Sequence, residues 1–416
     1  MEDIFIKNIY INKVRHLENI DIPISETERK HLILTGKNGS GKTSVLLEIK
    51  NWLNKAEANQ LQYFYQHKQN IDILSKEIIK SQKQMDLGRD SEIEADILSF
   101  RNGINSSRIQ ISNYASNVEV DFDGQEIFAL YSQGNFILSY FQAQRNLSQN
   151  IPQGISKIPT RNVYQLDEKA GINFVQYIVN LKADRSFARD ERDETSVNEI
   201  DNWFKNFEKS LQGILDDDNL RLEFDRKNYN FNLITEGREV ANFNTLSDGY
   251  SAIFNIISEL IFRMQNREIK SYDIQGIVLI DEIETHLHID LQKKILPFLT
   301  NFFPKIQFIV TTHSPFVLNS VSNAVIFDLE KKLLVEDLSG YSVEGVIEGY
   351  FNADKYSEEV KSKLREYEML SEKDDLTMDE KVRMNRLEIY FEELPKFLAP
   401  ELQLKFNEIQ LAKLVQ

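Results

Sequence analysis

Ile33-Leu34-Thr35-Gly36-Lys37-Asn38-Gly39-Ser40-Gly41-Lys42-Thr43-Ser44 decides how the rest of this chain is read. An apolar run predicts a short strand, the glycines predict a tight turn, and Lys42-Thr43 opens a helix carried by Val45, Leu46, Leu47 and Ile49. Gly36, Gly39 and Gly41 let the backbone bend sharply and turn several N–H groups into one hollow. The helix that follows adds its positive N-terminal end. A polyphosphate needs this order. Asn38, Gly39, Ser40, Gly41 and Ser44 would line its cradle, Lys42 would bring a mobile charge to the β- and γ-phosphates, and the Thr43 hydroxyl is placed for Mg2+. A loop that merely turns the chain is the plain alternative. The full G-x-x-x-x-G-K-T spacing between strand and helix speaks against it.

Bulk composition narrows the setting. The chain has 416 residues, enough for about two or three domains and a real core. Hydrophobic residues make up 41% and charged residues 27%, the balance of a soluble globular protein. No apolar run approaches the roughly eighteen residues of a membrane span. The first residues lack a signal-peptide pattern. There is no cysteine, hence no disulfide framework and no thiolate metal site. A cytoplasmic protein with no membrane partner is the expectation. The net charge of −16 argues against phosphate-backbone binding by the surface as a whole, though a local basic patch stays open.

Outward from the glycine loop, Ile4 to Ile24 alternate loosely and predict two strands before the one that feeds the loop. From about 45 to 115 the apolar spacing is helical. Leu61, Phe64, Ile71, Leu74 and Ile78 form one arm, Asp86 to Asp90 a break, and Ile93, Ile97, Phe100 and Ile104 a second. That predicts a short antiparallel coiled-coil hairpin over 51–115, with arms of roughly 35–45 Å at ~1.5 Å per residue. Two ordinary core-packed helices are the alternative. Its charges balance, eight Lys/Arg against eight Asp/Glu over 53–115, which suits protein contact better than nucleic acid. Strands follow at 118–122 and 136–141, the second ending in Gln142-Ala143-Gln144-Arg145. Helices are expected at about 169–183 and 196–215, with the charge-dense stretch Asp184 to Thr195 as a solvated loop between them. A hairpin is expected over 220–233.

Three further stretches carry chemistry. Ile277-Val278-Leu279-Ile280-Asp281-Glu282 reads as a buried parallel strand ending in two acids, where open α/β sheets bind ligands. Asp281 is a candidate Mg2+ ligand and Glu282 a candidate general base for an attacking water. Phe308 to Pro315 is a second strand with polar residues at its end, among them His313, a candidate hydrogen-bond donor to a γ-phosphate or to the attacking water. It lies one helix after the acids and should neighbour their strand. Leu246-Ser247-Asp248-Gly249-Tyr250 opens another apolar helix. Ser247 and the N–H groups near Gly249 make either a helix-start anion site or a plain N-cap.

The order of these motifs, Gly36–Thr43, Leu246–Gly249, Ile280–Glu282 and His313, resembles that of ABC-type ATPase heads. Asp281-Glu282-Ile283-Glu284-Thr285-His286-Leu287-His288 and Thr311-Thr312-His313-Ser314-Pro315 resemble the RecF/SMC/OLD branch, as does the opening hairpin with Arg15 before Leu17. The resemblance covers half to two-thirds of the chain. It implies an α/β P-loop NTPase fold: a two-lobed ABC ATPase head over 1–50 and 116–340, the hairpin inserted at 51–115, and a helical C-terminal cap or partner-binding module over 341–416.

The same resemblance implies an ATPase that binds ATP and Mg2+ and works as a homodimer, or a higher oligomer, closed around shared nucleotide. Lys42 and Thr43 would then act in cis, Ser247 and Gly249 in trans. Glu282 would be the general base, His313 the switch histidine, and Glu284 to Asp290 a dimer-contact loop. The metal-binding glutamine is Gln142 or Gln144, with Gln142 preferred as nearer the strand end. Asp248 departs from the family signature and places a negative charge near a triphosphate, which implies slow or partner-controlled hydrolysis. The early, short hairpin and the lack of a following Toprim domain look like stand-alone antiphage-defence ATPases of the PARIS, Septu and retron-linked kind. Such proteins act with a separate effector, a nuclease or toxin, under a DNA or phage-protein trigger. A RecF-like DNA-repair ATPase and an ATP-gated assembly scaffold are the competing expectations.

Overall fold

The computed structural model describes residues 3–415 except 86–90, 115, 123, 146–148, 159–160, 238, 266–273, 336, 351–356, 374 and 394–399. The backbone divides into two compact units, Met1–Tyr341 and Ser342–Gln416.

In the first unit, the alternating opening forms β1 (Asn8–Val14) and β2 (Leu17–Pro23), antiparallel with Ile9 opposite Ile22 and Ile11 opposite Ile20. These four isoleucines point to one face and are buried. β3 (His31–Thr35) is buried at every position, as a central parallel strand should be. It feeds the glycine loop and α1 (Lys42–Glu57). Trp52, Leu53 and Ala56 of α1 are buried in the head's core, so the expected start of an insertion at 51 falls inside this helix.

The paired arms are α2 (Gln62–Met85) and α3 (Ser91–Ser112), about 36 and 33 Å long at ~1.5 Å per residue. The expected break at 86–90 lies outside the described residues. The seam between the arms is thin. Ile97, Ile104 and Ser107 of α3 are buried, and Asn70 Nδ2 donates to Ser107 Oγ at 2.9 Å. Phe64 anchors the root, edge-on to Trp52 at 5.1 Å.

β4 (Val118–Asp121) pairs with β1, then α4 (Gly124–Ser132) and β5 (Phe136–Phe141) follow. α5 (Phe174–Glu191) and α6 (Glu194–Leu215) come next. The expected solvated loop from Asp184 to Thr195 is corrected here, because α5 runs through most of it. Its charges are the outer face of a helix whose inner face buries Val175, Ile178, Val179 and Ala188. Arg185 forks onto both oxygens of Asp201 at 2.6 and 2.7 Å. Only Arg192, in the left-handed region, and the capping Asp193 separate the two helices.

β6 (Arg221–Asp225), β7 (Asn230–Ile234) and β8 (Ala241–Asn242) form a small antiparallel sheet. α7 (Asp248–Met264), β9 (Gln275–Ile280), α8 (Ile289–Phe302), β10 (Ile306–Thr311), α9 (Pro315–Leu318), β11 (Ala324–Asp328) and β12 (Leu333–Val335) complete the unit. The main sheet has the order β12-β11-β3-β10-β9-β5. Its strands are parallel except β12. The expected adjacency of the β9 and β10 strands therefore holds. Two buried glutamines stitch the N-terminal segment to this sheet: Ile4 N donates to Gln275 Oε1, and Gln307 exchanges hydrogen bonds with both backbone groups of Ile6.

The second unit holds helices Glu358–Ser371, Met378–Glu393 and Pro400–Val415. They close on a core of Leu364, Tyr367, Leu370, Met384, Leu387, Phe391, Leu402 and Phe406. Its sequence carries 11 Lys/Arg against 17 Asp/Glu.

Candidate functional site

The glycine loop leaves the carboxyl end of β3 with Gly36, Gly39 and Gly41 at φ of 136°, 87° and 100°. A Cβ on Gly36 would stand 2.7 Å from Ser40 Oγ, and one on Gly41 would stand 3.0 Å from Leu17 Cδ1. Glycine is required at both for conformation and for space. Lys42 is buried. Its ammonium donates to the carbonyls of Gly36 (2.7 Å) and Lys37 (3.2 Å), folded back over its own loop. Ser40 Oγ is buried without a hydrogen-bond partner among the described residues. α1 starts from Gly41, which has no side chain to cap it, so its first N–H groups are left for another acceptor.

The acids follow at the end of β9. Asp281 is buried, and its Oδ1 accepts from Thr311 Oγ1 at 2.6 Å and from Thr43 Oγ1 at 3.1 Å. Thr311 Oγ1 in turn accepts from the Glu282 N–H at 2.7 Å. One hydroxyl thus fixes both acids. Glu282 has φ 44°, a conformation that a non-glycine residue holds only where its surroundings impose it. Its Oε2 accepts from Thr285 Oγ1 at 3.2 Å. Beneath this turn Arg145 donates to the carbonyls of Asp281, Glu282, Ile283 and Gln142.

At the end of β10, His313 faces buried Glu284. Its Nδ1 lies 2.8 Å from Glu284 Oε1, and its N–H donates to the same oxygen at 2.7 Å. This hydrogen bond raises the imidazole pKa, against burial and the Lys42 charge. Burial alone would raise Glu284, yet the two bonds from His313 bring it below the usual carboxylate value. Ser314 Oγ donates to Gln292, whose amide donates to the Leu287 carbonyl. The turn after the acids is therefore tied to both β10 and α8.

The Ser247 region stands at a different surface. Ser247 is the N-cap of α7 but makes no capping hydrogen bond, and Ser247 and Asp248 are exposed. Gly249 abuts the later turn, where a Cβ would stand 2.9 Å from the His286 carbonyl oxygen. A half-open cleft of about 610 Å3 runs here, lined by Ser247–Tyr250 and by His286, His288, Asp290 and Lys294.

Lys42, Thr43, Asp281, Glu282 and His313 thus meet at the carboxyl end of the main sheet, while Ser247 and Gly249 lie with the 286–290 turn. Gln142 and Gln144 are both exposed and line one cleft of about 210 Å3 with Lys50 and Asp167. The structure leaves the choice between them open. Sequence reading gave no role to Thr311 or Arg145. Thr311 ends β10 two residues before His313, and Arg145 follows Gln144 just past β5; those positions are the available signal.

A family model described as "AAA domain, putative AbiEii toxin, Type IV TA system" matches residues 32–319. The chain belongs to this family. Across most of its length this AAA-family chain is 24% identical to a Septu protein PtuA of Bacillus thuringiensis, over 84% of this chain and 85% of that one. It is 24% identical to a Vibrio cholerae serotype O1 biovar El Tor protein named "Retron Vc95 probable ATPase", over 84% of this chain and 80% of that one. A Septu protein PtuA of Bacillus mycoides (strain KBAB4) is 40% identical over 114 residues, which are 26% of this chain and only 16% of that protein's length. The glycine loop between β3 and α1 of a mainly parallel sheet is the fold of a P-loop ATPase. Among the described residues, no helix is long and apolar enough to cross a membrane.

Proposed function

We propose that this chain is a Mg2+-dependent ATPase that closes as a pair around nucleotide and so controls a separate effector protein in antiphage defence. One observation carries the reading: a single Asp281 oxygen accepts from the threonine after the loop lysine and from the threonine at the end of β10, with the Glu282 N–H on that second hydroxyl.

The loop's chemistry fits a nucleotide. Lys42 sits on carbonyls it can leave, Ser40 offers a buried unpartnered hydroxyl, and the uncapped start of α1 offers N–H donors. Thr43 and Asp281 are the oxygen donors a Mg2+ would take. Among the described residues no group of three His, Asp or Glu is gathered to hold a metal alone, so nucleotide oxygens would complete that shell. A Mg2+ held by Thr43 and Asp281 would supply charge neutralisation to the phosphates. Glu282, held by Thr285 on one oxygen, presents the other to accept the proton of an attacking water. His313 has Nδ1 committed to Glu284, which leaves Nε2 as its working end. The exposed Ser247, beside the half-buried Gly249, supports a role in the partner's pocket. The acidic balance of the chain and the named Septu and retron relatives support a protein partner over bulk nucleic acid.

The test compares wild type, Lys42→Ala and Glu282→Gln for ATP turnover and for particle mass with ATP and Mg2+. Wild type should hydrolyse ATP, Lys42→Ala should lose nucleotide binding, and Glu282→Gln should bind without turnover and accumulate as a dimer. Unchanged turnover in Lys42→Ala, or a fully active wild type that stays a monomer with ATP, sinks the proposal. The cellular claim is read from phage plaque counts on the host with and without this chain, and equal counts overturn it.

A further inference from the structure

We infer that Arg145 is a positioning residue that locks the Gln142 segment to the acidic turn, so that the two move as one body. The inference rests on the reading of Glu282 as the group that activates water.

Arg145 is 4% exposed. Its Nη2 donates to the carbonyls of Asp281 and Glu282, each at 2.6 Å, and its Nη1 donates to Ile283 O at 3.2 Å. The Nε–H donates to Gln142 O at 3.2 Å. Among the described residues it makes no ion pair within 4 Å, and every acceptor is main chain. A buried cation without a carboxylate partner is costly. Burial draws its pKa down to about 10, while the more distant Glu284, Asp281 and Glu282 carboxylates oppose that. Such an arrangement persists because the acceptors are shaped for a cation. Glu282 lies in the left-handed region, so successive carbonyls 281 to 283 converge on one point. Only a planar fork with several fixed donors satisfies three converging oxygens and still reaches a fourth from another segment.

The mechanical consequence follows from what each end touches. On one side the fork holds the exit of β5, the segment with Gln142 and Gln144. On the other it holds the backbone of Glu282. Past Ile283 the same turn presents the His286 carbonyl to Gly249. A shift at the glutamines therefore reaches the Glu282 carboxylate and the Ser247–Gly249 face through rigid contacts, with Arg145 as the joint.

Arg145→Met keeps the length of the stem and removes every donor. With wild type hydrolysing ATP, Arg145→Met should retain binding of a fluorescent ADP analogue within about 3-fold. Its kcat should fall ~100-fold, the scale of a reacting group displaced by ~1 Å. Arg145→Lys keeps the charge but loses the fork, and its kcat should fall between the two. Turnover of Arg145→Met within 3-fold of wild type, or loss of analogue binding equal to the loss of kcat, overturns the inference. If that variant does not fold, hydrogen exchange on wild type decides. Amides of 142–145 and of 281–284 should gain protection together on adding the ADP analogue, and protection of one segment alone overturns the inference. A wild type that does not hydrolyse ATP refutes the functional reading instead, and the exchange result then stands by itself.

Discussion

Glu284 Oε1 accepts twice from His313, once from the ring Nδ1 at 2.8 Å and once from the backbone N–H at 2.7 Å. The carboxylate therefore holds both the tautomer and the position of the imidazole. It sits one turn after Asp281 and Glu282, so the histidine is fixed by the same turn that carries the acids.

This pairing predicts a pH window. The hydrogen bond to Glu284 raises His313 above its ordinary 6.5, so the stabilisation is full below 6.5 and fades as pH rises through the higher folded value. Glu284 is lowered below 4.5 by the bonds from His313, despite burial. Its share is present above 4.5 and fades as pH falls through the lower folded value. Between these limits the pair is intact. Glu284→Gln should move the His313 titration back toward 6.5, read from the histidine ring proton shifts. An unmoved titration would show that the carboxylate does not govern the ring.

Much of this arrangement could be read from the residues. The loop, the acid pair and His313 each terminate an apolar run, and an apolar run ending in polar residues reports a buried strand and its functional end at once. Thr311 escaped because threonine belongs equally to strands. Arg145 escaped because its partners are main-chain carbonyls, which have no sequence signature. The Asp184 to Thr195 stretch misled for a different reason. Local charge density does not tell a loop from the wet face of a helix when the buried positions, such as Ala188, are small.

A second prediction concerns stability. On α7, Arg263 Nε donates to Glu259 Oε1 at 2.6 Å, with both side chains at most 5% exposed. Glu259 also accepts from the N–H groups of Ala170 and Gly171, and Arg263 donates to the carbonyls of Leu138, Tyr164, Gln165 and Glu168. The pair pins the 164–171 segment to β5. Removing one partner strands a buried charge, so Glu259→Ala should cost about 3–5 kcal/mol. Urea unfolding measures it, and a loss below about 1 kcal/mol would show the site relaxes or hydrates.

Gly249 ties the packing of the free chain to the face proposed for association. No left-handed φ is needed there, so alanine is excluded only by the His286 carbonyl, 2.9 Å from the Cβ position. Overpacking of this kind costs typically 1–3 kcal/mol. Gly249→Ala should destabilise the free chain by about 1–3 kcal/mol and, by displacing the 286 turn, weaken ATP-dependent association about 10-fold. Equal association with wild type, followed by particle mass against concentration, would remove this face from the proposed interface.

Asp248 is the residue whose two expected effects have opposite signs. It is exposed in the first turn of α7, where a carboxylate favours the helix by about 0.3–1 kcal/mol. The same carboxylate, on the face proposed to meet a partner's triphosphate, repels it. Asp248→Asn removes the charge and keeps the shape. The free chain should become slightly less stable, while ATP-dependent association tightens several-fold at low salt. Since exposed charges are screened over ~10 Å at 0.1 M salt, the gain should shrink as salt rises. Weaker association in Asp248→Asn would mean that the carboxylate accepts a hydrogen bond across the interface, and the slow turnover expected from its charge would need another cause.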